Sequence, residues 1–408
     1  MSGKGLSTFF ENYIKREPIF INKKALQAIY IPKNIPHRQK EIDTLAKILA
    51  PMLRQEKPSN IFIYGNPGTG KTVTIKYVTD EISQVAEKNK LSVKIIYLNC
   101  KLKRVADTEY RLIAELTNRL GGNVPATGLP TDEVYKQFLG LLEEKGFKLV
   151  IILDEIDQII QKAGAGLLYN MTRINSELKN SEISLIGISN DLRFMEYIDP
   201  RVKSSLSEEE IVFPPYNAVQ IQTILKERSK EACREGVIKD GVVEKCAALA
   251  AKEHGDARKA LELLRIAGEI SERKNKECIS MEELDEANET FERDTVVEWI
   301  SAQPKHSKIA LLAIMNIDKE KAHSNGPKTP YFTGEIYEVY KELCSKCHQQ
   351  PLTQRSISNL IAELDQAGII NAKLVSKGRY GRTRQIHLDI GPSTLPKIEK
   401  MLMEGLQL

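Results

Sequence analysis

The sequence predicts an α/β domain built on a phosphate-binding loop, then an all-helical segment, then a C-terminal winged helix-turn-helix. Three observations carry that prediction. The stretch 60–74, NIFIYGNPGTGKTVT, runs from a short apolar segment into G-x-x-x-x-G-K-[ST], matched at every fixed position. Two later apolar runs, 149–153 and 183–189, end in Asp154-Glu155 and in Asn190. Near the C-terminus, helical patterns at 305–317, 334–348 and 353–367 precede β-like stretches at 369–375 and 384–389. These patterns divide the chain into 1–215, 216–298 and 299–408.

Taken in order, His37-Arg38 opens an amphipathic helix through Ile42, Leu45, Ile48 and Leu49. A crossover helix from Val73 to Ala86 and a second strand at 93–98 complete a βαβ unit of a parallel sheet. Residues 101–147 form a helical excursion broken near Gly121-Gly122 and Gly128. After Pro214-Pro215, the chain reads as helical throughout from Asn217 to about Arg293.

The glycines of the loop let the backbone fold tightly enough for its N–H groups to surround a nucleotide's phosphates. The expected ATP or ADP contacts are Gly65, Asn66, Pro67, Gly68, Thr69, Gly70, Lys71, Thr72 and Val73. Lys71 supplies charge, the Thr72 hydroxyl and Asp154 hold Mg²⁺, and the following helix aims its positive end at the anion. Glu155 is placed to orient or deprotonate the attacking water. Asp157 suits a solvated helix start as well as a role at the metal. Asn190 reads either as a γ-phosphate or water contact or as a turn residue. Arg201 in DPRVKSS reads either as an arginine finger acting in trans or as a surface ion pair, and Arg258 as a lid arginine or a solvated helix start.

A content of 41% hydrophobic and 28% charged residues is that of a soluble globular chain. No apolar stretch approaches the ~18 residues of a membrane span, so the expected location is the cytoplasm, with no membrane partner. The six cysteines are scattered, and Cys344-Ser-Lys-Cys347-His348 matches a haem-attachment pattern only inside a helical periodicity. Residues 301–408 carry 15 Lys and Arg against 10 Asp and Glu, while the remainder carries 44 against 45, so the basic excess lies at the C-terminal end.

In that end, Thr353, Gln354, Arg355 and Ser358 form the polar start of a helix anchored by Ile357, Leu360, Ile361 and Leu364. An exposed face of amide, hydroxyl and guanidinium groups suits base edges or phosphates. The connector between the β-like stretches brings Lys377, Arg379, Tyr380, Arg382 and Arg384 around two glycines, a composition suited to a phosphate backbone or a minor groove.

The order of these parts resembles the archaeal origin-recognition and cell-division-control initiators of the AAA+ class. The resemblance covers nearly the whole chain: GNPGTGKT (65–72), LDEID (153–157), LLYNMTRINSE (167–177), GISND (187–191), DPRVKSSL (199–206), FPPY (213–216), GDARKALELLR (255–265) and the wing. It implies that Asn190 is the first sensor, Arg201 the finger and Arg258 the second sensor. It also implies that Tyr216, Arg228, His37 and Arg38 contact nucleotide. Lys101, Lys103, Arg104, Arg111 and Arg119, in an initiator-type insertion near 101–135, become DNA contacts or remain a solvated face. Ser205 stands where eukaryotic relatives often have a second arginine, which leaves the rate of turnover open. The implied function is a weak ATPase switch on double-stranded origin DNA, nucleoid-associated, working with paralogous subunits and the replicative helicase. The alternatives are a clamp-loader or remodelling ATPase whose winged helix binds protein, and an origin-proximal regulator.

Overall fold

The computed structural model describes residues 10–11, 14, 16–101, 108–164, 166–191, 198, 200, 203–204, 209–252, 255–323, 331–376, 382–390, 394–406 and 408. The chain divides into two compact units, Met1–Ala287 and Asn288–Leu408.

The first unit is organised by a five-stranded parallel sheet. Its strands are β1 (Ile61–Tyr64), β2 (Val93–Asn99), β3 (Lys148–Asp154), β4 (Glu182–Ser189) and β5 (Glu209–Val212), in the order β2-β3-β4-β1-β5. The continuous apolar runs of β3 and β4 follow from burial on both faces. On one face, Ile61, Ile63, Val150, Ile152 and Ile188 pack against α1 (Gln39–Leu49) and α2 (Lys71–Lys88) through Leu45, Leu49, Ile75 and Val78. On the other, Phe62, Leu98, Ile151 and Leu153 meet α3 (Glu109–Arg119), α4 (Thr131–Lys145), α5 (Asp157–Ala163) and α6 (Gly166–Arg173). The ends of β1, β3 and β4 therefore converge on one edge of the sheet, where α/β folds bind ligands. β5 has no sequence signal because it is a short edge strand, EEIV, in which only Ile211 is buried.

The helical segment is not continuous. It comprises α7 (Ala218–Ala232), α8 (Val242–Lys252), α9 (Ala257–Arg273) and the start of α10 (Met281–Ala302). It breaks where Ile238 and Ile279 form a parallel bridge. Asn217 and Gln220 make a capping box at α7, and the Asp256 side chain accepts from the Arg258 N–H at 2.8 Å to start α9. The N-terminal segment straps across these helices. Ile21 and Asn22 donate to the Ala232 carbonyl, and the Phe20 ring lies where a Cβ on Gly268 would sit, 2.3 Å from its Cζ.

The second unit holds α11 (Lys305–His323), β6 (Tyr331–Phe332), α12 (Thr333–Lys346), α13 (Gln354–Gln366), β7 (Ile370–Ser376), β8 (Arg382–Leu388) and α14 (Leu395–Leu406). The expected three helices and hairpin gain β6, which joins an antiparallel sheet β6-β8-β7, and α14. α14 inserts Ile398 and Leu402 into the core formed by α11, α12 and α13. Cys344 is buried on α12, inside that core. No helix among the described residues is long and apolar enough to cross a membrane.

Two glycines give opposite expectations. Gly255 has φ +71°, and an added Cβ would lie 2.4 Å from the Tyr216 carbonyl oxygen, whereas Gly140 has nothing within 4 Å of one. Gly255→Ala should cost about 2–4 kcal/mol by urea unfolding, from backbone strain plus the clash. Gly140→Ala, inside α4, should stabilise by roughly 0.5–1 kcal/mol through helix propensity.

Candidate nucleotide site

At the convergent strand ends, a cavity of about 390 Å³ opens between the phosphate-binding loop, the segment 28–36 and the helices α7 and α9. Gly68, Thr69, Gly70, Lys71, Thr72 and Val73 form its floor, with Asp154, Glu155, Asn190, Tyr216, Arg228 and Arg258 around it. Gly65, Asn66 and Pro67 are not on its wall; they carry the chain from β1 into the loop. Ile31, Pro32, Ile35, Ile224 and Leu261 give part of its wall an apolar character suited to a flat base.

The Lys71 ammonium donates to the Gly65 carbonyl at 2.7 Å, the Asn66 carbonyl at 2.9 Å and Asn190 Oδ1 at 2.9 Å. Thus Asn190, 119 residues away, meets the loop lysine directly. Burial lowers the Lys71 pKa to about 8, against the raising effect of Asp154. The Thr72 hydroxyl donates to Asp154 Oδ2 at 2.8 Å. A hydroxyl and a carboxylate side by side are hard oxygen donors of the kind Mg²⁺ takes, so these two residues fit that ion.

Two residues of β2 that sequence patterns did not single out complete the acidic end. The Tyr97 hydroxyl donates to Asp154 Oδ2 at 2.6 Å, and Asn99 Nδ2 donates to Glu155 Oε1 at 3.3 Å. Both lie on the strand beside β3, with Asn99 in register with Asp154. Glu155 has φ +55°, an uncommon backbone state for a glutamate and one that clusters at functional sites. Ser189 donates to Asp157 Oδ1 at 3.1 Å, tying the start of α5 to the end of β4.

α9 approaches the loop by its N-terminus. The Ala257 N–H donates to the Gly68 carbonyl at 3.3 Å, and a Cβ on Gly68 would fall 1.7 Å from Asp256 Oδ1. Only a glycine admits this contact. Arg258 stands exposed on the cavity wall, its Nε 3.5 Å from Asp256 Oδ1.

Neither His37 nor Arg38 lies on the cavity wall, although the segment 28–36 just before them does. His37 is exposed and off the cavity wall, at φ +63°. Arg38 is 2% exposed and braces the loop from behind. Its Nε is shared between the Thr69 carbonyl at 2.9 Å and the Tyr216 hydroxyl at 3.0 Å, and Nη2 donates to the Pro214 carbonyl. Tyr216 stacks on that guanidinium, 4.0 Å from the ring centre. Arg228 reaches the cavity wall, but its Nε donates to the Ala25 carbonyl and its Nη2 to that of Gln27, holding the N-terminal segment. Burial lowers the Arg228 pKa.

In the second unit, Gln354, Arg355 and Ser358 of α13 face a depression shared with Thr333, Gly334, Thr383 and Arg384. Thr353 caps α13, accepting from the Ser356 N–H at 3.3 Å, and Arg384 Nη1 donates to the Ser358 carbonyl at 3.1 Å. In α3, Arg119 pairs with Glu115 at 2.8 Å and Arg111 is half-buried. Arg201, Lys103, Arg104, Lys377, Arg379 and Tyr380 lie outside the described residues, and so does the Arg382 side chain.

The Lys71 value sets a pH dependence. An ammonium that titrates near 8 in the free protein loses its charge above that pH, and with it the attraction for phosphate. Metal-free ADP affinity should fall as pH rises through about 8 and approach a tenfold loss per unit. In Lys71→Arg the inflection should disappear, as followed by calorimetry, because an arginine stays protonated.

Comparison with known proteins extends these observations. An AAA domain family matches residues 54–195, a Cdc6 AAA+ ATPase-type lid domain matches 222–289, and a CDC6 C-terminal winged helix domain matches 298–397. The ORC1-type DNA replication protein of Thermococcus kodakarensis is 51% identical over 397 residues, covering 96% of this chain and 94% of the relative. ORC1-type DNA replication protein 1 of Archaeoglobus fulgidus is 49% identical over 388 residues, covering 95% and 92%. Among solved structures, the Aeropyrum pernix ORC1 protein in complex with DNA matches with a TM-score of 0.81 and 44% identity, over 95% of this chain and 98% of that one. With identity at this level along nearly its whole length, and with AAA, lid and winged-helix parts in that order, the chain belongs to the archaeal ORC1/Cdc6-type replication initiators.

Proposed function

We propose that this protein is an ATP-dependent initiator that binds double-stranded origin DNA, and that its nucleotide state is a switch rather than a motor. The observation that carries the reading is the docking of the α9 N-terminus on the loop, through Ala257 and Gly68. In that arrangement whatever the loop holds bears directly on the lid. Loop N–H groups and Lys71 hold the phosphates; Thr72 and Asp154 hold Mg²⁺, which neutralises phosphate charge when bound. Glu155 orients the water, Asn190 meets the γ-phosphate, and Arg258 follows the lid onto it. Arg201 of a neighbouring paralogous subunit acts in trans. Turnover is slow, and the bound form recruits or loads the replicative helicase.

DNA binding is supported by the depression around Arg355, Ser358 and Arg384, by the basic composition of the wing, and by the DNA complex of the 44% identical relative. Arg111 and Arg119 add backbone contacts from α3. The protein acts in the cytoplasm, on the nucleoid.

Glu155→Gln should retain ADP and ATP affinity while slowing hydrolysis by about 10²-fold or more. Footprints on origin DNA should then differ between ATP and ADP for the wild type, and stay in the ATP pattern for the variant. Identical footprints in all states would remove the switch.

Arg379→Ala with Arg382→Ala should weaken binding to every duplex and reduce the slope of log affinity against log salt by about 1.8, from two lost phosphate contacts. Arg355→Ala should reduce affinity for origin DNA more than for a random duplex. An unchanged salt slope in the wing double variant would remove the wing from the interface.

A further inference from the structure

The acidic end of the cavity contains a group that the phosphate-binding loop motif and its paired carboxylates leave out. Tyr97 sits on β2, two positions before Asn99, and Asn99 is the register partner of Asp154. In a parallel sheet this places Tyr97 on the same face as Asp154, diagonally behind it. The distance from that position to the carboxylate is one a phenol can span and a serine or threonine cannot. The hydroxyl arrives 2.6 Å from Asp154 Oδ2, the same oxygen that accepts from Thr72 at 2.8 Å. The other oxygen, Oδ1, accepts from the Glu155 N–H at 3.0 Å. The carboxylate is thereby held by three donors and is only 6% exposed.

The ring is itself held. Lys76, one helical turn beyond Thr72 on α2, places its ammonium 4.2 Å from the ring centre. The ring also packs against the apolar layer between α2 and the sheet. Tyr97 and Lys76 both stand on the cavity wall. A carboxylate at the last position of a strand has no backbone ladder beyond it to limit its rotamers. Here a clamped phenol supplies that limit from the neighbouring strand.

We propose that Tyr97 is a positioning residue for the metal-bound nucleotide, fixing Asp154 in the rotamer that presents Oδ2 beside Thr72. The inference rests on the reading of Thr72 and Asp154 as the Mg²⁺-holding pair. Tyr97 acts only through Asp154. It does not touch the phosphates, so its contribution belongs to metal affinity and not to the affinity for nucleotide without metal.

The test uses the full-length protein with ADP, and Mn²⁺ as a paramagnetic probe. Free Mn²⁺ is followed by electron paramagnetic resonance in the wild type, Tyr97→Phe, Asp154→Asn and the double variant. Tyr97→Phe keeps the ring and its packing and removes one donor to a charged acceptor. Mn²⁺ affinity of the ADP complex should fall about tenfold, with metal-free ADP affinity and thermal midpoint near wild type. In the Asp154→Asn background, adding Tyr97→Phe should cause no further loss, the signature of a residue that works through its neighbour. Wild-type Mn²⁺ affinity in Tyr97→Phe, alongside a loss in Asp154→Asn, would overturn the role of Tyr97 and leave the metal pair standing. An equal fall in metal-free ADP affinity would make Tyr97 a packing residue only. Unchanged Mn²⁺ affinity in Asp154→Asn would overturn the metal pair itself, and this proposal with it.

Discussion

The buried guanidinium of Arg38 is the constraint on which the first unit depends. An ion with almost no exposure must find its hydrogen bonds inside the protein, because leaving a buried charge unpaired costs several kcal/mol. Arg38 finds them at two places far from it in sequence: the Thr69 carbonyl of the phosphate-binding loop, and the Pro214 carbonyl with the nearby Tyr216 hydroxyl. Glu41, one turn along α1, balances the charge at 3.0 Å. The geometry of the loop and the path of the linker into the helical segment are therefore solved together, by one side chain. The loop's own glycines make it pliable; Arg38 and the α9 N-terminus make it definite.

The same logic shapes the acidic end of the cavity. Asp154 and Glu155 are adjacent, yet each is held by a different residue of β2 and the two are treated differently. Asp154 is drawn inward by Thr72 and Tyr97, and the half-buried phenol's own pKa is raised by desolvation and by that carboxylate. Glu155 leaves the strand in a left-handed backbone state and is met by Asn99, with the Lys101 ammonium 4.0 Å from its other oxygen. Such strain persists where surrounding contacts over-determine it. Both carboxylates line the cavity, Asp154 held by three donors and only 6% exposed, Glu155 held from its side by Asn99 and Lys101.

In the second unit the burial pattern of α13 separates two tasks along one helix. Ile357, Ile361 and Leu364 are almost fully buried and fix its orientation, while Gln354, Arg355 and Ser358 line an open depression. Arg384 reaches across from β8 to the Ser358 carbonyl, so the wing strand and the helix share one surface. The helix is rigid because its apolar side is anchored, and its polar side is thereby presented in one register.

Local chemistry decided much of this protein from the sequence alone. The parallel strands, the loop, the Asp154-Glu155 pair and the polar start of α13 are each written in contiguous residues, where periodicity and motif spacing act over a few positions. Tertiary structure decided what contiguity cannot encode. Tyr97 and Asn99 stand more than fifty residues before the carboxylates they hold, and nothing in VKIIYLN marks them as other than strand. Arg38 lies beside the loop only because the fold brings the start of α1 against it, where the guanidinium braces the Thr69 carbonyl. β5 and β6 are too short to carry an alternating pattern, and they exist as strands because a neighbouring strand offers them hydrogen bonds. Residue type and spacing named the chemistry. Which atoms meet was settled by burial, which forces buried polar groups to find partners wherever the fold brings them.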